Sequence, residues 1–216
     1  MSFAIIRVQK VKSFSGIGRH VDRVDAHGEN YSPDNADKKK INSNIYWDKD
    51  GRAFTQNDWR NQIKGKSLGE RVKKRIDEGY KVKKAIRKDA VKALEYLLTS
   101  DNRKMQELEK LPERFKDWLS ENRKFIENIH GKENIVAFSL HRDEETPHLH
   151  VVVVPLTKEG RLTMEPYVGS PRLLVQLQNQ YSQSMKRFGM ERGIRGSRAH
   201  HEAPDRSKSL NKNVER

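Results

Sequence analysis

The chain has 216 residues, with 44 Lys and Arg against 30 Asp and Glu, a formal net charge of +14 and a hydrophobic content of 34%. The apolar share is below the roughly 45–50% of an average globular domain, yet it suffices for one core. Cys is absent, which excludes disulfide scaffolds, thiolate zinc sites and thiol nucleophiles. No run approaches the roughly 18 apolar residues of a membrane span, and the first residues lack the basic-then-apolar layout of a secretory signal. A cytoplasmic protein with no membrane partner is expected. The surplus positive charge needs a polyanion, of which nucleic acid is the commonest.

Residues 3–8 read as a first strand, with Ala4, Ile6 and Val8 on one face. A turn-rich stretch follows at 13–18, and a short helix from about Arg19 would place His20, Arg23 or Val24, and His27 along one face. Residues 28–66 are polar and read as irregular structure around one apolar piece, Ile45–Trp47. Ser67-Leu68-Gly69-Glu70 has the S-x-x-E form of a capping box and should open a helix. A basic stretch leads into a strand at 96–99, and Pro112 opens an amphipathic helix whose buried stripe is Phe115, Trp118, Leu119, Phe125, Ile126 and Ile129. Strands are expected at 135–141 and 149–154. A last helix from Pro171 would bury Leu173, Leu174, Leu177, Tyr181, Met185 and Phe188. The fold class is α/β (α+β), a mainly antiparallel sheet flanked by helices. Residues 1–192 form the domain, and 193–216 form a basic polar tail that reads as the start of a linker to a further C-terminal region.

Three of the eight histidines lie in one ten-residue stretch, His141-Arg142-Asp143-Glu144-Glu145-Thr146-Pro147-His148-Leu149-His150. Strand side chains alternate, so His148 and His150 share a face. His141 joins them if it pairs opposite one of them, which needs a connection with an even number of residues; 142–147 satisfies this. Ala137 and Ser139 would leave room above that wet face, while Val136, Phe138, Leu140, Leu149, Val151 and Val153 would pack the dry one. Three neutral imidazoles with Glu144 nearby suit a divalent transition metal with open positions. Imidazole-rich ligation favours manganese or another transition ion over magnesium.

The segment His141-x-Asp143-Glu144-x-Thr146-Pro147-His148-x-His150 resembles the H-x-D-E-x-T-P-H-x-H motif of the MobV class of plasmid mobilisation relaxases, the Pre/Mob plasmid recombination proteins of the HUH endonuclease superfamily. The opening strand, the segments 85–91 and 99–101, and the ending from Glu191 through His200 are similar to that family in order and character. The resemblance implies an HUH relaxase fold and an enzyme that nicks one strand at a plasmid or mobile-element transfer origin. Such an enzyme stays attached to the 5′ phosphate and can rejoin the strand. It implies a His nucleophile in an H-N-x-R motif, here His20-Val21-Asp22-Arg23, in which His20 and Arg23 match and Val21 replaces the Asn. Glu144 would be a fourth metal ligand or would orient a ligand or proton carrier. Further partners of such a protein would be a second copy, through a C-terminal region, and the transfer machinery.

Arg71, Lys74, Arg75, Lys84, Arg87 and Lys88 belong to the densest basic region and are expected along DNA phosphates. Two other readings compete: a rolling-circle replication initiator with a Tyr nucleophile, for which Tyr31 and Tyr46 lie nearest, and a non-catalytic DNA-binding module with a structural metal.

Overall fold

The computed structural model describes residues 1–194; the remainder, with His200, His201 and most of the expected polar tail, lies outside the described residues. Seven strands form one sheet in the order β3-β2-β5-β6-β4-β1-β7. They are β1 (Phe3–Val11), β2 (Ile45–Trp47), β3 (Ala53–Phe54), β4 (Ala93–Thr99), β5 (Ile135–His141), β6 (His148–Val153) and β7 (Glu191–Arg192). All pairings are antiparallel except the edge strand β7, which runs parallel to β1.

Alternation along the central strands divides the core in two. Ala4, Ile6, Leu94, Tyr96, Leu98, Phe138, Leu140, Leu149, Val151 and Val153 face one side. There they meet α4 (Asn102–Glu109), α5 (Pro112–His130), α6 (Glu165–Val168) and α7 (Pro171–Met185) through residues such as Trp118, Ile126, Leu177 and Tyr181. On the other side Val11, Ala93, Ala137, Val152 and Val154 meet α1 (Ser15–Asp22) and α3 (Leu68–Gly79) through Val21, Leu68, Val72 and Ile76. The face expected to be wet is therefore dry over half its length, and it opens only at the end where the histidines lie.

Several elements depart from the sequence reading. β1 continues to Val11, and α1 begins at Ser15 instead of near Arg19. The polar stretch 28–66 contains β3 and a helix, α2 (Gln56–Gln62), capped by Thr55, whose side chain accepts from the Asp58 N–H. Residues 102–109 also form a helix, capped by Asp101. Val136 sits at an irregularity between Ile135 and Ala137, so it joins the second cluster and not the first. Leu174 of the expected buried stripe is 40% exposed, because α7 packs through Leu177, Tyr181 and Met185. The capping box of α3 is present as read, with both reciprocal Ser67 and Glu70 hydrogen bonds.

Two details set the position of α1. A Cβ on Gly18 would lie 3.3 Å from Leu68 Cβ, so the glycine allows α1 and α3 to approach closely. Arg23 follows the last turn of α1 at φ 53°, the left-handed region that non-glycine residues seldom occupy. That turn reverses the chain and sends the Arg23 side chain back beneath the helix. No described helix is long and apolar enough to cross a membrane.

At the far end of α5, His130 is buried with its Nε2 2.8 Å from Tyr96 Oη. Burial pushes its pKa down to about 3. An unfolded imidazole titrates near ~6.5, so the folded state binds fewer protons below that value. Stability from this group is complete above ~6.5 and falls by about 1.4 kcal/mol per pH unit as acid is added, until the folded pKa is reached. His130→Gln is expected to shrink the stability difference between about pH 7 and about pH 5 by about 2 kcal/mol in urea denaturation. An unchanged difference would show that the folded protein protonates His130 freely.

Candidate metal and strand-transfer site

β5 and β6 form the hairpin anticipated from the even connection. His141 pairs with His148, and Ser139 with His150, so all three imidazoles rise from one face. His20 descends on them from α1. The ring centroids of His20, His141 and His148 lie 4.8 Å, 4.8 Å and 4.8 Å from that of His150. One nitrogen from each of the four rings falls within 4.8 Å of the others.

The hydrogen bonds determine where each ring holds its proton. A backbone carbonyl only accepts, so His148 Nδ1 donates to Thr146 O at 2.8 Å, and His141 Nε2 donates to Val21 O at 3.1 Å. His150 Nδ1 lies 2.7 Å from Glu95 Oε1 and donates to it. A neutral imidazole has a single N–H. In the neutral forms of His148 and His150 the Nε2 atoms therefore carry lone pairs, and they face each other at 3.0 Å. His141 Nδ1 is bare as well, buried, and without a partner among the described residues. Imidazoles gathered in this way could hold a transition cation. Burial pushes the pKa values of His141 and His150 well below that of a free imidazole, with neighbouring imidazoles and Arg23 adding to the effect.

Arg23 joins α1 to the loop between the two strands. Its Nε and Nη2 donate to Asp143 Oδ2 and Oδ1 at 2.9 and 3.0 Å, and Nη2 also reaches Glu144 Oε1 at 2.6 Å. Arg23 and Asp143 are almost completely buried. Burial works against the guanidinium charge, but Asp143 and then Glu144 more than compensate, and the Arg23 pKa stays above its ordinary value. Removal of either member of such a pair strands a buried charge, at a typical cost of about 3–5 kcal/mol.

Arg23 Nη1 donates to His20 O at 2.9 Å and to His20 Nδ1 at 3.1 Å. His20 Nδ1 is thus the acceptor and its proton resides on Nε2, 3.2 Å from His150 Nε2. Burial, then His150 and Arg23, push the His20 pKa down to about 3. Glu144 Oε2 accepts from Asn35 Nδ2 at 2.6 Å, while Oε1 stands 3.9 Å from both His20 Nε2 and His148 Nε2. Burial favours protonation of Glu144, yet His148 and Arg23 outweigh it and lower its pKa.

The structure thus gathers His20, Arg23, His141, Glu144, His148 and His150 at one end of the sheet. The basic residues lie elsewhere. Arg71 points inward, with Nη2 2.5 Å from Asp22 Oδ2 and Nη1 3.0 Å from Val136 O. Its guanidinium thereby fastens α3 to α1 and β5 in place of the surface position expected for it. Arg75 Nε donates to Asn134 Oδ1 at 2.9 Å and is half-buried. Lys74 is exposed, 3.8 Å from Glu78; Arg87 is exposed and paired with Asp89; Lys84 and Lys88 are exposed. The segment 81–92 enters β4 at Ala93, whereas His150 pairs with Leu97. The basic loop is therefore about 13 Å along the strand from the imidazoles.

Tyr46 is fully buried, stacked on Trp59 and hydrogen-bonded to Gln56. It cannot present a nucleophilic oxygen to a substrate. Tyr31 lies under Arg19, and His27 is exposed in a turn. Trp47 packs edge-on against Phe138. Sequence reasoning missed Glu95 and its neighbour Gln9, whose Nε2 donates to Glu95 Oε2, because the strand was read as beginning at Tyr96. Asn35 had no signal of its own.

The sequence model of the plasmid recombination enzyme family matches residues 1–209. The plasmid recombination enzyme type 3 of Staphylococcus aureus is 33% identical over 198 residues, covering 89% of this chain and 44% of that protein. A plasmid recombination enzyme of a Bacillus species is 33% identical over 205 residues, 93% of this chain and 45% of that protein. The chain thus spans less than half the length of these curated relatives. Among solved structures, the MobM relaxase domain (MOBV) bound to plasmid pMV158 oriT DNA, Mn-bound at pH 4.6, superimposes with a TM-score of 0.76 at 26% identity. The match covers 95% of this chain and 98% of that one. The same domain bound to 26-nucleotide oriT DNA gives a TM-score of 0.62 at 26% identity over 93% of this chain and 97% of that one. With the histidine motif, the sheet and the whole-chain sequence match in agreement, the chain belongs to the plasmid recombination enzyme family.

Proposed function

We propose that residues 1–192 form a cytoplasmic, metal-dependent relaxase domain that nicks one DNA strand at a transfer origin and can rejoin it. The observation that carries this reading is the convergence of the His141, His148 and His150 imidazoles beside a fourth, neutral histidine on a separate helix. The DNA-bound, Mn-bound relaxase domain of the same fold supports it.

His141, through Nδ1, and His148 and His150, through Nε2, would hold a divalent cation, with manganese favoured. Such an ion, when bound, supplies positive charge to the non-bridging oxygens of the scissile phosphate. The rest falls to the protein. His20 is neutral over the physiological range, since burial keeps it from taking a second proton. Its one proton sits on Nε2, so attack through Nε2 requires that proton to leave, and Glu144 Oε1 at 3.9 Å is placed to receive it, directly or through water. The N–P bond forms at His20 as this proton passes to Glu144 and the P–O3′ bond breaks, and the leaving 3′ oxygen takes up the proton that Glu144 has received. The phosphoramidate conserves the bond energy, so a returning 3′ hydroxyl can reverse the step. Arg23 keeps His20 Nδ1 occupied and thereby fixes the ring for this exchange.

Lys74, Lys84, Arg87 and Lys88 offer exposed charge to DNA that runs on from the site toward the far end of the sheet. Arg7 adds a cation nearer the imidazoles: it is exposed on β1 and pairs with Leu97, which in turn pairs with His150.

Incubation with single-stranded origin DNA and Mn²⁺ is expected to give a covalent protein–DNA adduct that acid cleaves, as a P–N bond requires. An acid-stable adduct would mean an O-linked nucleophile, and no cleavage would mean a binding module. His20→Ala should abolish the adduct while Mn²⁺ uptake and DNA binding persist; nicking at the normal rate would place the nucleophile elsewhere. Replacing Lys84 and Lys88 together by Ala should make log K fall less steeply with log salt, by about 0.7–0.9 for each phosphate these side chains neutralise, read by fluorescence anisotropy. An unchanged slope would remove both residues from the DNA path.

A further inference from the structure

We propose that Glu95 is a positioning residue of the metal site: it holds the His150 ring with its proton on Nδ1 and its Nε2 lone pair turned to the ion, while Gln9 anchors the carboxylate. This rests on the metal reading given above and extends it to two residues outside the histidine motif.

Glu95 occupies the middle of β4, between Leu94 and Tyr96, whose side chains enter the main core on the opposite face. It is only 5% exposed. A carboxylate buried in a central strand is costly unless it is paired or fully hydrogen-bonded, and here both oxygens are used. Oε1 accepts from His150 Nδ1 at 2.7 Å, and Oε2 accepts from the Gln9 side-chain amide. The register makes this contact possible. Glu95 pairs with Val152 on β6 and with Gln9 on β1, so it is the diagonal neighbour of His150 on the same face. Such diagonal Cα atoms lie about 7–8 Å apart, within reach of a glutamate and an imidazole.

The consequence for metal binding is twofold. An imidazole can place its single proton on either nitrogen, and only the Nδ1–H form of His150 leaves Nε2 available beside the bare Nε2 of His148. A carboxylate acceptor selects that form, prevents the ring from turning, and makes Nε2 a better donor. His148 and His141 have their protons placed by backbone carbonyls. His150 alone of the three depends on a side chain, so it is the ring whose tautomer a single substitution can release.

The test uses the DNA-free protein and Mn²⁺ alone, with bound ion counted by electron paramagnetic resonance and the histidine tautomers read from long-range ¹H–¹⁵N spectra of the apo state. Glu95→Gln is expected to weaken Mn²⁺ binding by about 10–100-fold and to remove the single Nδ1–H signature of His150. Gln9→Ala, at an exposed position where folding is not at stake, is expected to weaken it by about three- to tenfold, the effect of losing one hydrogen bond. Wild-type affinity and an unchanged His150 tautomer in Glu95→Gln would overturn the proposal. If that variant does not fold, wild-type affinity in Gln9→Ala overturns it. A wild-type protein that binds no Mn²⁺ would overturn the metal reading itself, and this inference with it.

Discussion

The Nε2 atoms of His148 and His150 face each other at 3.0 Å at the open end of the sheet. Their other nitrogens are committed as donors, to a backbone carbonyl for His148 and to Glu95 for His150, so when both rings are neutral each Nε2 carries a lone pair. Lone pairs so placed repel unless a metal ion or a donated proton, such as that of His20 Nε2 at 3.2 Å from His150 Nε2, accepts them. The third bare nitrogen, on His141, is buried without a partner among the described residues and sharpens the same requirement. The arrangement suits a cation, and the surrounding hydrogen bonds fix the orientation of the three rings.

A second constraint brings the nucleophile candidate to that point. Arg23 is buried in the left-handed region at the end of α1, and its guanidinium joins the helix carrying His20 to Asp143 and Glu144 of the hairpin loop. Five donors on a rigid fork let one side chain hold the loop, occupy His20 Nδ1 and cap the helix carbonyl together. Gly18 and the part-buried Arg71–Asp22 pair press α1 onto α3 and the sheet. The same helix contributes Val21 to the second core and carries His20 over His141 and His150.

Much of this was legible in the sequence, and the reasons are physical. The six-residue connection 142–147 sets the parity of the hairpin, so His141 had to share a face with His148 and His150 once both strands were recognised. Pro112 and the Ser67–Glu70 box mark helix starts with backbone chemistry that tertiary contacts did not override. What escaped detection depends on residues distant in sequence or on short elements. The α2 and α4 helices run for only 7 and 8 residues, and their caps, Thr55 and Asp101, resemble ordinary loop residues. The irregularity at Val136 reverses a face that simple alternation assigns wrongly. Arg71 looks like any cation on a basic helix until the fold brings Asp22 beneath it. Glu95 could have been suspected from a lone acidic residue inside Ala93-Leu94-Glu95-Tyr96-Leu97, but only the register with β6 shows that it meets His150.

Where the cation sits decides the rest, and crystals of the protein grown with Mn²⁺ answer that through an anomalous difference map at the manganese absorption edge. One strong peak is expected within coordinating distance of His141 Nδ1, His148 Nε2 and His150 Nε2. A map with no peak there, or with the ion held by Asp143 and Glu144 away from the imidazoles, would contradict the three-histidine site.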